Sequence, residues 1–242
     1  MAREAALGLH ELLGVHHCVY GNYCRDPMDA IRLEFEREGG RHKANYDRVL
    51  NGELDGKTLD ELVEHPDAKM AKLEKYHILA LRLYTTESYV CVNEPLRKVP
   101  PLKPHPFAAT TCFISDGIKK LRAASLSKGA HNDTEVYWRG IRDKGLQEQF
   151  LEEGGTEFAC VSTTESKDVA VAFAESELPL VFKFESTDFT SRGAHVSFLS
   201  AFPNEKEVLY PPLTYMRSMG QPTMEDVGGV QVLVFTVQPE LM

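Results

Sequence analysis

Two glutamates separated by one residue lie at the start of an apolar run in the segment "AFPNEKEVLYPP". Glu205 and Glu207 flank Lys206, and the apolar residues that follow predict a buried strand. Side chains two positions apart on a strand project from one face, so we expect both carboxylates to lie together while Lys206 faces away. Neighbouring carboxylates resist joint ionisation unless a cation or an electron-poor substrate lies between them. The alternative is a solvent-exposed strand edge protected by acidic residues.

An arginine lies inside a predicted aromatic strand, in the segment "TEVYWRGI". Arg139 follows Tyr137 and Trp138, and an arginine on a buried strand requires an anionic or carbonyl partner. One interpretation is an internal salt bridge. The other is a clamp for a diphosphate or a carboxylate, with Gly140 allowing a ligand to approach the backbone.

Three consecutive hydroxyl residues, Ser162, Thr163 and Thr164, end the predicted strand "TEFACVSTT". They either cap the next helix or act on a functional group. In the second interpretation, Ser162 hydrogen-bonds a catalytic carboxylate and fixes its rotamer.

The sequence lacks the residue patterns of several common metal-binding and nucleotide-binding sites. His10 and Glu11 lack the second histidine of a zincin helix, because position 14 is Gly14. The segment "NGELDGKTLDEL" has leucines, Leu59 and Leu62, where a calcium loop needs oxygen ligands. The chain has no glycine-rich phosphate-binding motif of the Rossmann or P-loop type. We therefore expect no metal site and no site of those two kinds.

Helical patterns fill the first hundred residues. Asp26 and Pro27 predict the start of a helix that ends at Gly39, and Thr58 with Glu61 forms a capping box at the start of another.

More helices are predicted further along. The apolar spacing behind Pro66 predicts a helix that runs to about residue 85, and "ESYVCVNEPLRK" predicts a short helix that ends near Pro95. The proline-rich "KVPPLKPHPFAA" predicts an extended connector, and Ser115 is the expected cap of the helix that follows it.

After about residue 134 the pattern changes to short β-rich runs bounded by turn residues. One run, "SKDVAVAFAES", suits either a strand or a short helix. Helices followed by many strands predict an α+β fold. We expect a helical N-terminal region over residues 1–105 and a β-rich core over residues 106–242.

The composition indicates which classes of binding partner and which cellular compartment to expect. A net charge of −9 argues against a nucleic-acid-binding surface. No segment approaches the roughly 18 apolar residues of a membrane span, and the N-terminus has no secretory signal pattern. The five cysteines are an odd, dispersed set, which indicates reduced thiols. We expect a cytoplasmic protein, with a secreted toxin or a trimmed chain as the alternative.

In this order, the three chemical segments resemble the arginine–serine–glutamate class of mono-ADP-ribosyltransferases, which includes bacterial binary-toxin transferases and vertebrate ecto-transferases. That class has an aromatic-Arg-Gly strand, a Ser-Thr-Ser strand and a Glu-x-Glu pair before a strand. Here Trp138 is inserted before Arg139, and Thr164 replaces the second serine but keeps a hydroxyl. The segment "LRLYTTESYVCVNEPLR" also resembles a helix of the family, and the resemblance extends over residues 75–238.

The resemblance implies a split β-sandwich, with one continuous domain from about residue 75. It also implies an enzyme that consumes NAD as a substrate and transfers ADP-ribose to a protein or small-molecule arginine. Two alternatives are an NAD glycohydrolase with water as acceptor and a non-catalytic module that binds a partner.

The resemblance also implies a role for each residue. Glu207 stabilises the sugar cation, Glu205 activates the acceptor and Ser162 orients Glu207. Arg139 binds a phosphate or ribose of NAD, and Gly140 binds the nicotinamide amide through its backbone.

Three further residues complete the expected site. Thr163 and Phe173 are placed with the NAD-binding residues, and Phe202 is placed in acceptor recognition. For each phenylalanine the alternative is simple hydrophobic packing.

Overall fold

The structure is a computed structural model that describes Leu9, Leu13 and residues 26–98, 100, 104–127, 134–142, 147–174, 176 and 179–241. The segment around His10 and four residues of the proline-rich connector (99 and 101–103) lie outside the described residues. The chain forms two compact units. The first comprises residues 1–125, 198–203 and 242, and the second comprises residues 126–197 and 204–241.

Helices form the described secondary structure up to residue 127. They are α1 (Pro27–Glu38), α2 (Gly40–Leu50), α3 (Leu59–Val63), α4 (Pro66–Met70), α5 (Lys75–Tyr84), α6 (Tyr89–Arg97) and α7 (Ala108–Ser127). Two predicted starts are confirmed: the Asp26 side chain accepts a hydrogen bond from Met28 N at 2.9 Å, and Thr58 forms its capping box with Glu61.

The prediction of one continuous helix behind Pro66 is wrong, because the chain forms α4 and α5 instead. Lys72 has a left-handed backbone with φ of 52°, which ends the first helix. The Nδ1 atom of His77 then accepts a hydrogen bond from Glu74 N at 3.0 Å and caps the start of the second. Each helix contributes buried apolar residues, Ala68 and Ile78 among them, whereas Met70 at the end of α4 is 38% exposed.

The prediction that Ser115 caps a helix is also wrong. Helix α7 already begins at Ala108, and its cap comes from another helix. The Glu34 carboxylate on α1 accepts hydrogen bonds from Ala109 N at 2.7 Å and Thr110 N at 3.0 Å. Burial raises the pKa of Glu34 to about 7, although these bonds act in the opposite direction. A cap supplied from so far along the chain has no local sequence signal.

Among its described residues, the second unit has a sheet of nine strands and two short α-helices, α8 (Glu148–Glu153) and α9 (Lys167–Phe173). The strands are β1 (Glu135–Ile141), β2 (Gly155–Glu157), β3 (Val161–Thr164), β4 (Leu180–Ser186), β5 (Ala194–His195), β6 (Glu207–Tyr210), β7 (Thr214–Ser218), β8 (Thr223–Val227) and β9 (Val230–Leu241). Their order is β2-β7-β9-β4-β1-β3-β6-β5, with β8 against β9.

The sheet folds back on itself between β1 and β3. Strands β4 and β6 are three positions apart in the order, which corresponds to about 14 Å in a flat sheet. Yet the rings of Phe184 on β4 and Tyr210 on β6 stack with centroids 5.5 Å apart. The two layers enclose an aromatic core that includes Tyr137, Phe182 and Phe235. The α+β prediction is therefore confirmed, with the layered sheet that the resemblance implies.

The structure resolves one ambiguous segment and adds two strands that the sequence did not predict. The ambiguous "SKDVAVAFAES" segment forms helix α9, because the Ser166 side chain accepts from Val169 N and caps its first turn. Strands β7 and β8 were not predicted: they come after a proline pair and alternate weakly between polar and apolar residues.

Candidate active site

Ser162 and Glu207 form a buried hydrogen bond between neighbouring strands. In the antiparallel register of β3 and β6, Ser162 is opposite Leu209, so Glu207 is its diagonal neighbour on the same face. Ser162 Oγ donates to Glu207 Oε1 at 2.6 Å. Glu207 is only 6% exposed. The sequence-based expectation that Ser162 orients a carboxylate therefore has the required geometry.

The environment of Glu207 favours its neutral form. Burial raises the pKa of Glu207 to about 7, and the nearby Glu205 carboxylate acts in the same direction. The hydrogen bond from Ser162 and the charge of Arg139 lower the pKa, but by less than burial raises it. A positive charge placed against this carboxylate would thus stabilise its ionised form.

Arg139 lies where β1 and β3 separate. The two strands pair at Trp138 and Thr164, and the next contact is made by a side chain: Arg139 Nη1 donates to Ser162 O at 2.7 Å. Strand β1 pairs with β4 without interruption from Glu135 to Ile141, so the inserted Trp138 leaves that register intact. The described structure thus brings Arg139, Ser162 and Glu207 together.

The prediction that both glutamates lie on one strand is wrong. Glu205 ends a 3₁₀ turn, Pro203–Glu205, and Lys206 has a left-handed backbone with φ of 48° before β6 begins at Glu207. Two hydrogen bonds to backbone carbonyls, one from the last side chain of β3 and one from the backbone of the next residue, hold this turn. Thr164 Oγ1 donates to Glu205 O at 2.5 Å, and Glu165 N donates to Lys206 O at 3.4 Å.

Glu205 nevertheless remains close to Glu207, because its charge contributes to the raised pKa of that residue. Glu205 is half-buried, and burial also raises its own pKa. The turn, rather than strand alternation, therefore brings the two carboxylates near each other. The contact of Thr164 with this turn was not expected from the sequence.

Gly140 is in close contact with helix α9. A methyl group at this position would lie 2.8 Å from Ala174 N and closer still to Ala170 O, and both are backbone atoms. Glycine is thus required here for helix packing, a reason that the sequence did not suggest. The expected contact between the Gly140 backbone and a ligand stays a prediction.

The other expected site residues have distinct environments. Thr163 is buried, and its hydroxyl donates to Val208 O at 2.8 Å across β3 and β6. Phe173, at the end of α9, is 52% exposed, and Phe202, in residues 198–203 of the first unit, is 53% exposed. Neither ring is buried in the core, and the expected roles of both stay predictions.

The described residues give no cluster of three or more histidine, cysteine, aspartate or glutamate side chains suited to a metal ion. Within the same part of the chain, no helix is long and apolar enough to cross a membrane. Cys91 and Cys112 are free thiols.

Comparison with known proteins gives a family match and a set of similar folds. A family model described as ADP-ribosyltransferase exoenzyme matches residues 67–221. The ADP-ribosyltransferase HopU1 of Pseudomonas syringae is 18% identical with a TM-score of 0.58, covering 89% of this chain and 98% of that one. The type III effector XopAI of Xanthomonas axonopodis is 16% identical with a TM-score of 0.58, covering 98% and 97%.

Exoenzyme S of Pseudomonas aeruginosa, solved with a human 14-3-3 protein and carba-NAD, is 23% identical with a TM-score of 0.51 and covers 81% of this chain and 88% of that one. No significant match was found among curated protein sequences. The family match extends over more than half of the residues, and the similar structures share the fold. The chain therefore belongs to the ADP-ribosyltransferase exoenzyme family and is an NAD-dependent transferase.

Proposed function

We propose that the protein cleaves the bond between nicotinamide and ribose in NAD and transfers the ADP-ribose to an arginine side chain or an arginine-like small molecule. The observation that carries this proposal is the 2.6 Å hydrogen bond between Ser162 Oγ and the buried Glu207 carboxylate. Arg139 lies beside this pair through its contact with Ser162 O.

Glu207 acts on the donor. Loss of nicotinamide leaves positive charge on the ribose ring, as in glycoside hydrolysis. The electron pair of the broken C–N bond neutralises the pyridinium, so the leaving group needs no general acid. A fixed carboxylate stabilises the developing sugar cation, and Ser162 holds that carboxylate in place. Glu207 also accepts a hydrogen bond from the ribose 2′-hydroxyl.

Glu205 acts on the acceptor. A guanidinium is fully protonated near neutral pH and is a poor nucleophile in that form. The Glu205 carboxylate binds it through paired hydrogen bonds and takes its proton as the new C–N bond forms. Burial raises the pKa of Glu205, which makes this carboxylate a better proton acceptor.

The remaining residues bind the two substrates. Arg139 binds a phosphate or ribose of NAD, the Gly140 backbone binds the nicotinamide amide, and Thr163 supports the strand behind them. The exposed rings of Phe173 and Phe202 are available to pack against the nicotinamide and the acceptor, respectively. The carba-NAD bound in the exoenzyme S structure supports a dinucleotide donor for this fold.

The test is to incubate the protein with NAD and agmatine and to identify the products by mass spectrometry. We expect ADP-ribosyl-agmatine and nicotinamide, and neither product from Glu207→Gln. Free ADP-ribose without adduct would indicate a glycohydrolase. No turnover of NAD under any condition would indicate a binding module instead.

A further inference from the structure

Arg82 is a fully buried arginine in the first unit, with no exposed side-chain area. Its Nη1 donates to Leu199 O at 2.8 Å, and its Nη2 pairs with the Asp55 carboxylate. A buried guanidinium is costly unless it is paired, and Nε of Arg82 has no hydrogen-bond partner among the described residues. The bonds of Nη1 and Nη2 are therefore the contacts that offset its burial. Arg82 on helix α5 thus joins two distant segments of the same unit, the turn around Asp55 and residues 198–203.

A second side chain, at the residue that directly follows α5, holds the same segment. Thr85 Oγ1 accepts a hydrogen bond from Ala201 N at 2.9 Å and donates to Arg82 O at 2.8 Å. The ring of His65 also stacks on the ring of Phe198, with centroids 4.5 Å apart. The backbone of residues 198–203 is therefore fixed at Leu199 and again at Ala201, two residues apart.

This segment contains Phe202 and leads directly into the turn that ends at Glu205. We propose that Arg82 and Thr85 are positioning residues for acceptor transfer, because they fix the backbone from which this turn starts. The inference rests on the proposed function, which assigns the acceptor to Phe202 and Glu205.

A purely structural role for Arg82 makes a different prediction. If Arg82 only stabilised the fold, its loss would lower NAD cleavage and transfer in the same proportion. The contacts of Glu207 with Ser162, and of Ser162 with Arg139, are all made within the second unit. Loss of the contacts that Arg82 and Thr85 make with residues 198–203 should therefore lower transfer to the acceptor more than it lowers NAD cleavage.

The experiment compares Arg82→Lys and Thr85→Val with the parent chain, with Thr85→Ser as the conservative variant that restores the hydroxyl. The Thr85 variant removes one hydrogen bond and retains the buried ion pair, so it remains informative if Arg82→Lys does not fold. The matched control is Asp116→Asn, which alters the 2.7 Å contact with the buried His77 on the same helix.

Two quantities are measured: hydrogen–deuterium exchange of residues 198–203, and the ratio of ADP-ribosyl-agmatine to free ADP-ribose. We expect Thr85→Val to speed exchange about tenfold and to lower the ratio about tenfold, because it leaves the Ala201 amide without its acceptor. Arg82→Lys should act in the same direction, and the Asp116→Asn and Thr85→Ser variants should match the parent.

Three results would overturn the inference. Unchanged exchange would show that these contacts do not hold the segment, and faster exchange with an unchanged ratio would show that the segment does not serve transfer. If the parent chain released no nicotinamide, the proposed function itself would fail. The contacts of Arg82 and Thr85 with residues 198–203 would then have only a structural role.

Discussion

The hydrogen bond from Ser162 lowers the pKa of Glu207, against the larger effect of burial. The proposed chemistry needs the ionised carboxylate, whose pKa is raised to about 7 by burial, so kcat/KM for NAD cleavage should rise with pH through that value. Ser162→Ala removes a bond that lowers this pKa. We expect the rising limb to move to higher pH and the rate below pH 7 to fall on the order of 10²-fold.

The pH dependence of kcat/KM measures this effect. The control is Ser218→Ala, which removes a strand hydroxyl that donates to Leu151 O at 2.5 Å, away from Glu207. If kcat/KM of Ser162→Ala rose at the same pH as that of the parent chain, the result would contradict the role of the hydrogen bond.

Substitution of Glu205 should lower ADP-ribose transfer without an equal loss of NAD cleavage. Glu205→Gln retains the shape of the side chain but cannot take a proton from a guanidinium. We expect transfer to agmatine to fall on the order of 10²-fold, while nicotinamide release stays within about threefold. Product ratios by mass spectrometry check this, with Glu165→Gln as a neighbouring carboxylate control. Equal losses of both products would show that Glu205 acts on the donor as well.

At the scale of elements, the contact between β1 and α9 depends on Gly140. Gly140→Ala would push the backbone of α9 away from the sheet, and we expect it to lower the free energy of unfolding by roughly 2–3 kcal/mol. The control is Gly117→Ala, where the nearest atom is the side-chain Leu81 Cδ1 at 2.8 Å and helix propensity favours alanine. Urea unfolding of both variants measures the difference, and equal stabilities would contradict the packing role of Gly140.

Local patterns were sufficient for many elements and for the central trio of the site. The caps at Asp26 and Thr58 satisfy backbone groups only a few residues away, so a sequence window contains both partners. The resemblance in motif order implied that Ser162 orients Glu207, and the two side chains are hydrogen-bonded in the structure. The left-handed backbone at Lys206 had no such signal, because lysine rarely adopts it, and the contacts around that turn come from β3 and the residue after it.

Long-range contacts account for the other failures. Glu34 caps a helix about 75 residues away, and Arg82 bonds to Leu199 more than a hundred residues later. Neither partner can be identified from spacing within one element. Because the Glu34 cap could not be seen in the sequence, the start of α7 was predicted at Ser115. Because the bond to Leu199 could not be seen either, Arg82 was not identified as a functional residue.

At the scale of the whole molecule, the buried carboxyl group of Glu207 makes stability depend on pH. Its folded pKa of about 7 exceeds the ordinary value of 4.5, so the folded chain binds this proton more tightly than the unfolded chain. The stabilising contribution is complete below about pH 4.5 and is lost as pH rises through 7.

Glu207→Gln should therefore raise the free energy of unfolding at pH 8 by roughly 2–3 kcal/mol and change it little at pH 5. Denaturant unfolding at both pH values measures this, with the exposed Glu152→Gln as control. A gain of the same size at pH 5 would mean that ionisation is not its cause.

The chain contains one tryptophan, Trp138, beside Arg139 on β1 and under the Lys167 ammonium, which lies 4.8 Å from its ring centre. When tryptophan is excited selectively over the nine tyrosines, the emission thus originates at a single known point of the second unit. No dye has to be attached, so we expect stopped-flow fluorimetry to report dinucleotide binding beside Arg139 in real time.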